Sequence, residues 1–204
     1  MRYCGKLDLL VFWLAMLCAV CSARAADIVA DSAQLVANDD GYTLAADFKV
    51  GLGSRLEEAV NKGVVLHFVA EFELTRSRWY WFDEKVVQRS RTFQLSYHAL
   101  TRQYRLSSGA LHQSFASLDE ALRVLSRLRH WQVVEKGEIA ADVEYVASAR
   151  MRLDPSQMAK TFQVSALSNR DWSQSSGWLH WNFSFSDSGA PVPAGAAGAA
   201  GGGK

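Results

Sequence analysis

The sequence predicts a mainly β protein, an antiparallel β-sandwich that is immunoglobulin-like in general architecture and carries one or two short helices. Apolar and polar side chains alternate with a period of two in at least six segments, which is typical of strands that bury one face. Antiparallel sheets of such strands cover their apolar faces by packing against each other. Two shorter segments instead have helical spacing and capping residues.

The first 25 residues have the pattern of a secretory signal peptide. Arg2 and Lys6 precede the apolar run Leu9 to Val20, and small residues surround Ala25. This run of about a dozen residues is shorter than the roughly 20 that a membrane-spanning helix requires. We therefore expect cleavage after Ala25, a periplasmic protein and no transmembrane segment in the mature chain. Retention of the leader as an anchor stays open as an alternative.

Composition restricts the chemistry of the mature chain. The three cysteines, Cys4, Cys18 and Cys21, all lie in the predicted leader, so no disulfide or thiolate is available after cleavage. Removing the leader takes three basic residues and one acidic residue from totals of 22 and 21, which leaves 19 and 20. This balance does not indicate nucleic acid as a partner. We expect one domain over 26–186 and a disordered tail rich in Gly, Ala and Pro over 187–204.

The first two predicted strands form a hairpin. Residues Ile28 to Ala37 lead into the turn sequence Asn38-Asp39-Asp40-Gly41, which is a strong hairpin signal. The return strand has apolar residues at every second position. These residues are Tyr42, Leu44, Ala46, Phe48 and Val50.

A short helix is predicted next, from Ser54 to Asn61. Ser54 and Glu57 have the spacing of a capping box, and Gly63 follows as a stop signal. Alternation then resumes in four segments, which predict further strands with one buried face. These segments are Val64 to Leu74, Phe93 to Tyr97, Val143 to Leu153 and Leu179 to Phe185.

A second helix is predicted from Ser117 to His130. Ser117 and Glu120 form a capping box, and leucines recur with helical spacing from Leu118 to Leu128. Acidic residues lie near its start and arginines toward its end, as the helix dipole favours. We expect this helix to pack across an open end or edge of the sandwich.

The stretch Arg76 to Lys85, RSRWYWFDEK, has the most unusual composition. Four consecutive aromatic residues lie between basic and acidic ones. In an extended chain Trp79 and Trp81 face one side, so one aromatic pair can join the core while the other contacts a ligand or partner. Packing of all four inside the protein is the alternative interpretation.

Basic residues outnumber acidic ones by five between Arg76 and Arg105. Arg89 and Arg91 share one strand face and could bind a carboxylate or phosphate. A charged outer face that prevents aggregation would explain the same residues. The predicted interaction surface consists of Arg76, Arg78, Trp79, Trp81, Asp83, Glu84, Arg89, Arg91, Arg102 and Arg105.

Motifs for catalysis, metals and cofactors are absent from the sequence. The five histidines lack the spacing of a metal site, and no nucleophile elbow of the GxSxG type is present. We therefore expect no catalytic residues, no metal and no cofactor.

Six segments follow one another in a specific order: WYWFDE, YHALTRQYRL, SFASLDEAL, SARMRLD, FQVSAL and SGWLHWNF. Taken together, they resemble the bacterial family filed as domain of unknown function 4390, and the likeness covers about Asp27 to Ser186. The resemblance implies an exported protein of Gram-negative bacteria, from a family without an assigned activity whose genes often lie beside that of a membrane sensor kinase. It assigns no catalytic residue. The chain departs from the family at Met158 to Phe162, where members often have prolines.

Two functional hypotheses fit these observations. The first is a non-catalytic periplasmic interaction module whose partner is another envelope protein, with a sensor kinase suggested by the resemblance. The second is a domain that binds or hydrolyses cell-wall glycan, in which Trp79 or Trp81 stacks on sugar rings and Asp83 or Glu84 makes the polar contact. The sequence leaves the oligomeric state open.

Overall fold

The computed structural model describes residues 27–76, 84–140, 143–158 and 172–184. The predicted leader and tail lie outside these ranges. The described elements are β1 (Ile28–Asn38), β2 (Gly41–Val50), α1 (Ser54–Asn61), β3 (Leu66–Arg76), β4 (Glu84–His98), β5 (Gln103–Ser108), β6 (Leu111–Phe115), α2 (Leu118–Leu125), β7 (Arg127–Glu135), β8 (Glu144–Leu153) and β9 (Leu179–Ser184), with a 3-10 turn at Pro155–Gln157.

The strands form two antiparallel sheets. The smaller sheet has the order β1-β2-β7 and the larger one the order β6-β5-β4-β3-β8-β9. Buried residues of both sheets form one continuous apolar cluster, because each sheet turns its apolar face toward the other. The structure therefore confirms a mainly β sandwich with two short helices. We call the sides that face this cluster the inner faces and the opposite sides the outer faces.

Strand β3 lies at the centre of the core. Its alternate residues Leu66, Phe68, Ala70, Phe72 and Leu74 are all buried, as their period of two predicts. Burial of each large apolar side chain contributes about 1.5–3 kcal/mol to the free energy of unfolding.

The larger sheet extends beyond the smaller one, and the two helices cover the extension. Helix α1 packs on β4, whereas α2 packs on β5 and β6 and also touches β2 and β7. The Tyr104 hydroxyl donates to Asn61 Oδ1 at 2.6 Å, which ties β5 to the end of α1. The second helix therefore contacts strands at an edge of both sheets, in agreement with the expectation that it packs across an open end or edge of the sandwich.

Helix α2 is shorter than the sequence predicts. Its start is confirmed, because Ser117 Oγ accepts the N–H of Glu120 at 3.3 Å. However, the helix ends at Leu125, and residues 127 to 130 of the predicted helix belong instead to β7. The spacing of Leu128 fits both structures, but its pairing with Ala46 of β2 assigns it to the strand.

Helix α1 begins differently from the predicted capping box. Gly53 is the N-cap and no side chain caps the helix, so the prediction that Ser54 and Glu57 form a box is wrong. Gly53 has the extended backbone of a cap, which makes Ser54 the first helical residue. The stop is confirmed, because Gly63 has a φ of 88° and donates its N–H to Val60 O at 2.8 Å.

The hairpin turn between β1 and β2 is also as predicted. Asn38 Oδ1 accepts the N–H of Asp40 at 3.1 Å, and Gly41 has a φ of 134°. A Cβ atom at Gly41 would lie 2.2 Å from the carbonyl oxygen of Val134 on β7. Only glycine therefore fits between the turn and the neighbouring strand.

Candidate functional site

The predicted interaction surface does not form one continuous site among the described residues. The six members that can be located fall at three separate places in the larger sheet. Four further members lie outside the described residues. These four are Arg78, Trp79, Trp81 and Asp83.

Arg76 and Glu84 lie at the ends of β3 and β4, where the two strands pair. Arg76 Nη2 contacts Glu84 Oε2 at 2.5 Å, and both side chains are more than a third exposed. An exposed pair of this kind contributes little to stability. It joins the described ends of the two strands.

Arg89 and Arg91 share a face of β4, as predicted, but it is the inner face. They lie opposite Phe72 and Ala70 of β3, whose side chains are buried in the core. Both arginines are half-buried beside β7. To bind these two arginines, a partner would have to reach the inner face of the larger sheet beside β7.

The partners of these two arginines come from β7 and the residues that follow it. Arg89 Nη2 contacts Glu138 Oε1 at 2.6 Å. The guanidinium carbon of Arg91 lies 5.7 Å from the ring centroid of the buried Trp131, within the range of a cation–π contact. Burial lowers the pKa of Arg91. These contacts join the two sheets at their edge.

Arg102 and Arg105 are exposed at a third place. Arg102 belongs to the turn between β4 and β5 and has a φ of 53°. Arg105 lies opposite Ser96 on the outer face of β5. Neither residue lies on the inner face that holds Arg89.

A different group of charged and aromatic residues converges on the outer face of the larger sheet. We call it the face cluster. It comprises Glu71 of β3, Arg150 and Arg152 of β8, and the adjoining Asp154 and Trp178.

Glu71 is the centre of the face cluster because it binds both arginines. Its Oε2 accepts a hydrogen bond from Arg150 Nε, and its Oε1 accepts from Arg152 Nε at 3.1 Å. The register of the sheet explains the first contact, since Glu71 and Arg150 lie directly opposite each other. The Glu71 side chain is only 18% exposed, so its hydrogen bonds are partly shielded from water.

Asp154 continues the charge network beyond the end of β8. Its Oδ1 lies 3.6 Å from Arg152 Nη1 and accepts the Ser156 hydroxyl at 2.7 Å. Burial would raise the pKa of Asp154, but hydrogen bonds from Ser156 and the charge of Arg152 outweigh it and hold the pKa below its usual value. The acid therefore stays charged and helps to fix Arg152.

Trp178 stacks on the other arginine. The guanidinium carbon of Arg150 lies 4.3 Å from its ring centroid, which is a close cation–π contact. Arg150 is thus held between a carboxylate and an aromatic ring, yet 30% of its side chain is exposed to solvent.

Two histidines lie near the face cluster on the same outer face. His180 Nδ1 is 2.7 Å from Ser148 Oγ. His67 Nδ1 is buried and has no hydrogen-bond partner among the described residues. Burial lowers the pKa of His67, although Asp154 opposes the shift. His67 also lines an open groove of about 590 Å³ together with Gln94 and Met158.

The described part of the chain contains neither a cluster of metal ligands nor a helix that could span a membrane. Within it, no three His, Cys, Asp or Glu residues come together in a way that could hold a metal ion. None of its helices combines the length and the apolar character needed to cross a membrane.

Sequence reasoning missed the face cluster although its residues occupy polar positions of two predicted strands. Glu71 and Arg150 are 79 residues apart, and only the pairing of β3 with β8 shows that they meet. Carboxylates on the polar face of one alternating strand and an Arg-x-Arg sequence on another were the available signals. Neither signal identifies its partner without the strand order.

The fold and the cluster define a β-sandwich domain with a fixed charged and aromatic group on one outer face. The family described as Domain of unknown function (DUF4390) has a model that matches residues 25–182, and the chain belongs to this family. The resemblance based on the six sequence segments is therefore confirmed. No curated protein and no solved structure matches the chain.

Proposed function

We propose that this protein is a non-catalytic interaction module of the periplasm that binds another envelope protein through the face cluster. The observation that carries the proposal is the placement of Arg150 between Glu71 and Trp178 on a solvent-accessible sheet face. Arginine and tryptophan are enriched among residues that dominate binding energy at protein interfaces. The cluster therefore has the composition of an interface centre.

The geometry also favours binding because the cluster is already ordered. A free arginine loses side-chain entropy when a partner immobilises it. Arg150 has lost part of this freedom through its contacts with Glu71 and Trp178. Its Nε contacts Glu71, so the two terminal nitrogens remain suitable donors for a carboxylate of the partner.

The compartment and the partner class are proposed on other grounds. The leader pattern supports export, and an exported module whose basic and acidic residues nearly balance is suited to contacts with proteins of the envelope. The family resemblance suggests a membrane sensor kinase as one such protein. The link to envelope sensing is part of the proposal.

The test is crosslinking in living cells followed by recovery of the tagged protein from the envelope. We expect Arg150→Ala and Trp178→Ala to reduce recovery of the crosslinked partner roughly tenfold, since each removes one side of the stacked pair. Arg105→Ala is the matched control, because Arg105 is an exposed arginine on the same sheet face outside the cluster. Thermal melts of all variants check that the fold is intact.

The outcome that contradicts this proposal is equal recovery of the partner with wild type and both cluster variants. A second comparison replaces Arg89 and Arg91, the described pair from the sequence-predicted surface. Loss of recovery in that variant alone would move the binding surface to the inner edge beside β7.

Cell-wall glycan binding is the second candidate, and Trp178 is the observation that favours it. An aromatic ring beside arginines can stack on a sugar, and Trp178 is half-buried, not enclosed. Sedimentation with purified peptidoglycan tests this function directly. Retention that falls with Trp178→Ala would support it, whereas wild-type protein that stays in the supernatant would exclude it.

A further inference from the structure

Within the described residues the two sheets have four edge strands, and three of these carry features that prevent pairing with another chain. Strands β6 and β9 are short, with five and six residues. Strand β7 carries Arg127, Arg129 and Glu135, and its backbone is interrupted by His130 with a φ of 52°. Short length, charge and irregular backbone are the usual protections of edge strands.

Strand β1 lacks these protections over most of its length. It has 11 residues, and Asp31 is its only charged residue. That charge lies at a bulge and is paired with Lys49 at 2.7 Å. From Ser32 to Asn38 the strand is regular and uncharged, and within the described residues no strand pairs with its outer edge.

The exposed side of β1 adds apolar surface to this free edge. Val29 and Val36 are 50% and 42% exposed, and both lie on the outer face of the smaller sheet. A long, uncharged edge with exposed valines favours addition of another strand.

We propose that β1 pairs with β1 of a second copy of this chain in an antiparallel, two-fold arrangement. A second copy fits this edge because β1 is uncharged from Ser32 to Asn38. Two copies of this segment can therefore pair without like charges opposite each other. This inference is independent of the proposed function, since β1 belongs to the sheet opposite the face cluster.

A symmetric register also matches the two faces of the strand. Placing Gln34 on the two-fold axis sets it opposite its own counterpart and sets Ser32 opposite the counterpart of Val36. All three residues are exposed, while Ala33 and Leu35 both face the core. Opposite residues in an antiparallel pair share a face, so this register keeps the apolar side of both sheets continuous.

The protected edge strand on the far side explains why such an association would stop at two copies. The joined sheet would have the order β7-β2-β1-β1-β2-β7 and would end in β7 on both sides. Because Arg127, Arg129 and the irregular backbone at His130 protect β7, the described strands of this sheet would leave no unprotected edge. A closed dimer is therefore expected instead of a filament.

Analytical ultracentrifugation of the natively processed protein tests the dimer, with Gln34 as the position to change. We expect a reversible dimer for the wild type and a roughly tenfold weaker one for Gln34→Lys, because two lysines would then lie opposite each other. Gln34→Glu should weaken it similarly. An equimolar mixture of the two variants should restore dimers, because lysine then faces glutamate.

The matched control is Gln113→Lys, an exposed glutamine on the short edge strand β6. It should leave the dimer unchanged. Circular dichroism spectra of all variants check that these exposed substitutions preserve the fold. A wild type that stays monomeric up to about 100 µM, or a dimer that tolerates Gln34→Lys, would overturn the inference.

Discussion

Strands β4 and β8 flank β3 in the larger sheet, and each carries two arginines separated by one residue. Ala70 lies opposite both Arg91 of β4 and Met151 of β8. The inward position is therefore an arginine on one strand and a buried methionine on the other. As a result, Arg89 and Arg91 lie on the inner face, whereas Arg150 and Arg152 lie on the outer face.

The difference shows that an Arg-x-Arg sequence defines a shared face but not the side of the sheet. Strand β4 passes beside the edge strand β7, where Trp131 and Glu138 accommodate the cations. Strand β8 is covered on its inner face by the core, so its arginines lie outward and meet Glu71. The inner pair therefore joins the sheets, and the outer pair is available to a partner.

The largest expected effect distinguishes the two tryptophans that contact these arginines. Trp131→Ala should lower the free energy of unfolding by about 3–5 kcal/mol, because a buried aromatic side chain is lost. Trp178→Ala should lower it by only about 1 kcal/mol, because this ring is half-buried. Urea unfolding of both variants measures the difference. Equal losses would mean that Trp178 belongs to the core.

The second largest difference in stability is expected between replacements of the two carboxylates Glu71 and Glu138, which bind arginines of the two pairs. Glu71→Ala should cost about 2 kcal/mol of unfolding free energy, because two partly shielded arginines lose their acceptor. Glu138→Ala, the matched variant at the inner edge, should cost less than about 1 kcal/mol. Urea titrations again provide the measurement. Equal losses of unfolding free energy in the two variants would contradict the expectation that Glu71 contributes more to stability than Glu138.

Replacing one arginine of each pair by methionine tests what the two charges contribute to stability. Arg91→Met should change the unfolding free energy by less than about 0.5 kcal/mol, because the apolar stem stays packed and a desolvated charge is removed. Arg150→Met should cost about 1 kcal/mol, because a charge-assisted hydrogen bond is lost. A reversed order in thermal melts would show that the inner pair depends on its charge.

The smallest expected effect is the pH dependence of the unfolding free energy that is due to His67, on the outer face of β3. Burial holds the pKa of His67 in the folded protein below its ordinary value of 6.5. As pH falls below 6.5, the unfolded chain binds this proton first, so the unfolding free energy decreases until the folded-state pKa is passed. His67→Gln should remove this slope, whereas His98→Gln, at an exposed position, should keep it. Unchanged pH dependence in the His67 variant would contradict the argument.

Much of the fold could be predicted because alternation reports directly on burial. The residues that alternate in β3 and β8 are buried as expected, and the Ser117 cap begins α2 where predicted. The predicted end of α2 was wrong because Leu128 satisfies both the helical and the strand period. Only pairing with β2 decides between the two structures.

The candidate site could be predicted only in part because strand order is a long-range property. That Arg89 and Arg91 share a face follows from their spacing. Their inner location depends on the position of β7, and the meeting of Glu71 with Arg150 depends on β8 pairing with β3. Local sequence contains neither piece of information.

Ser126 alone separates α2 from β7, and this short connection has a dynamic consequence. Its carbonyl oxygen accepts the N–H of Phe48 at 2.8 Å, so the junction is anchored to β2 as well. The helix cannot swing away from the end of the sandwich without pulling the strand behind it. Amide hydrogens of α2 and β7 should therefore exchange with solvent as one cooperative unit, at a rate set by opening of the whole smaller sheet.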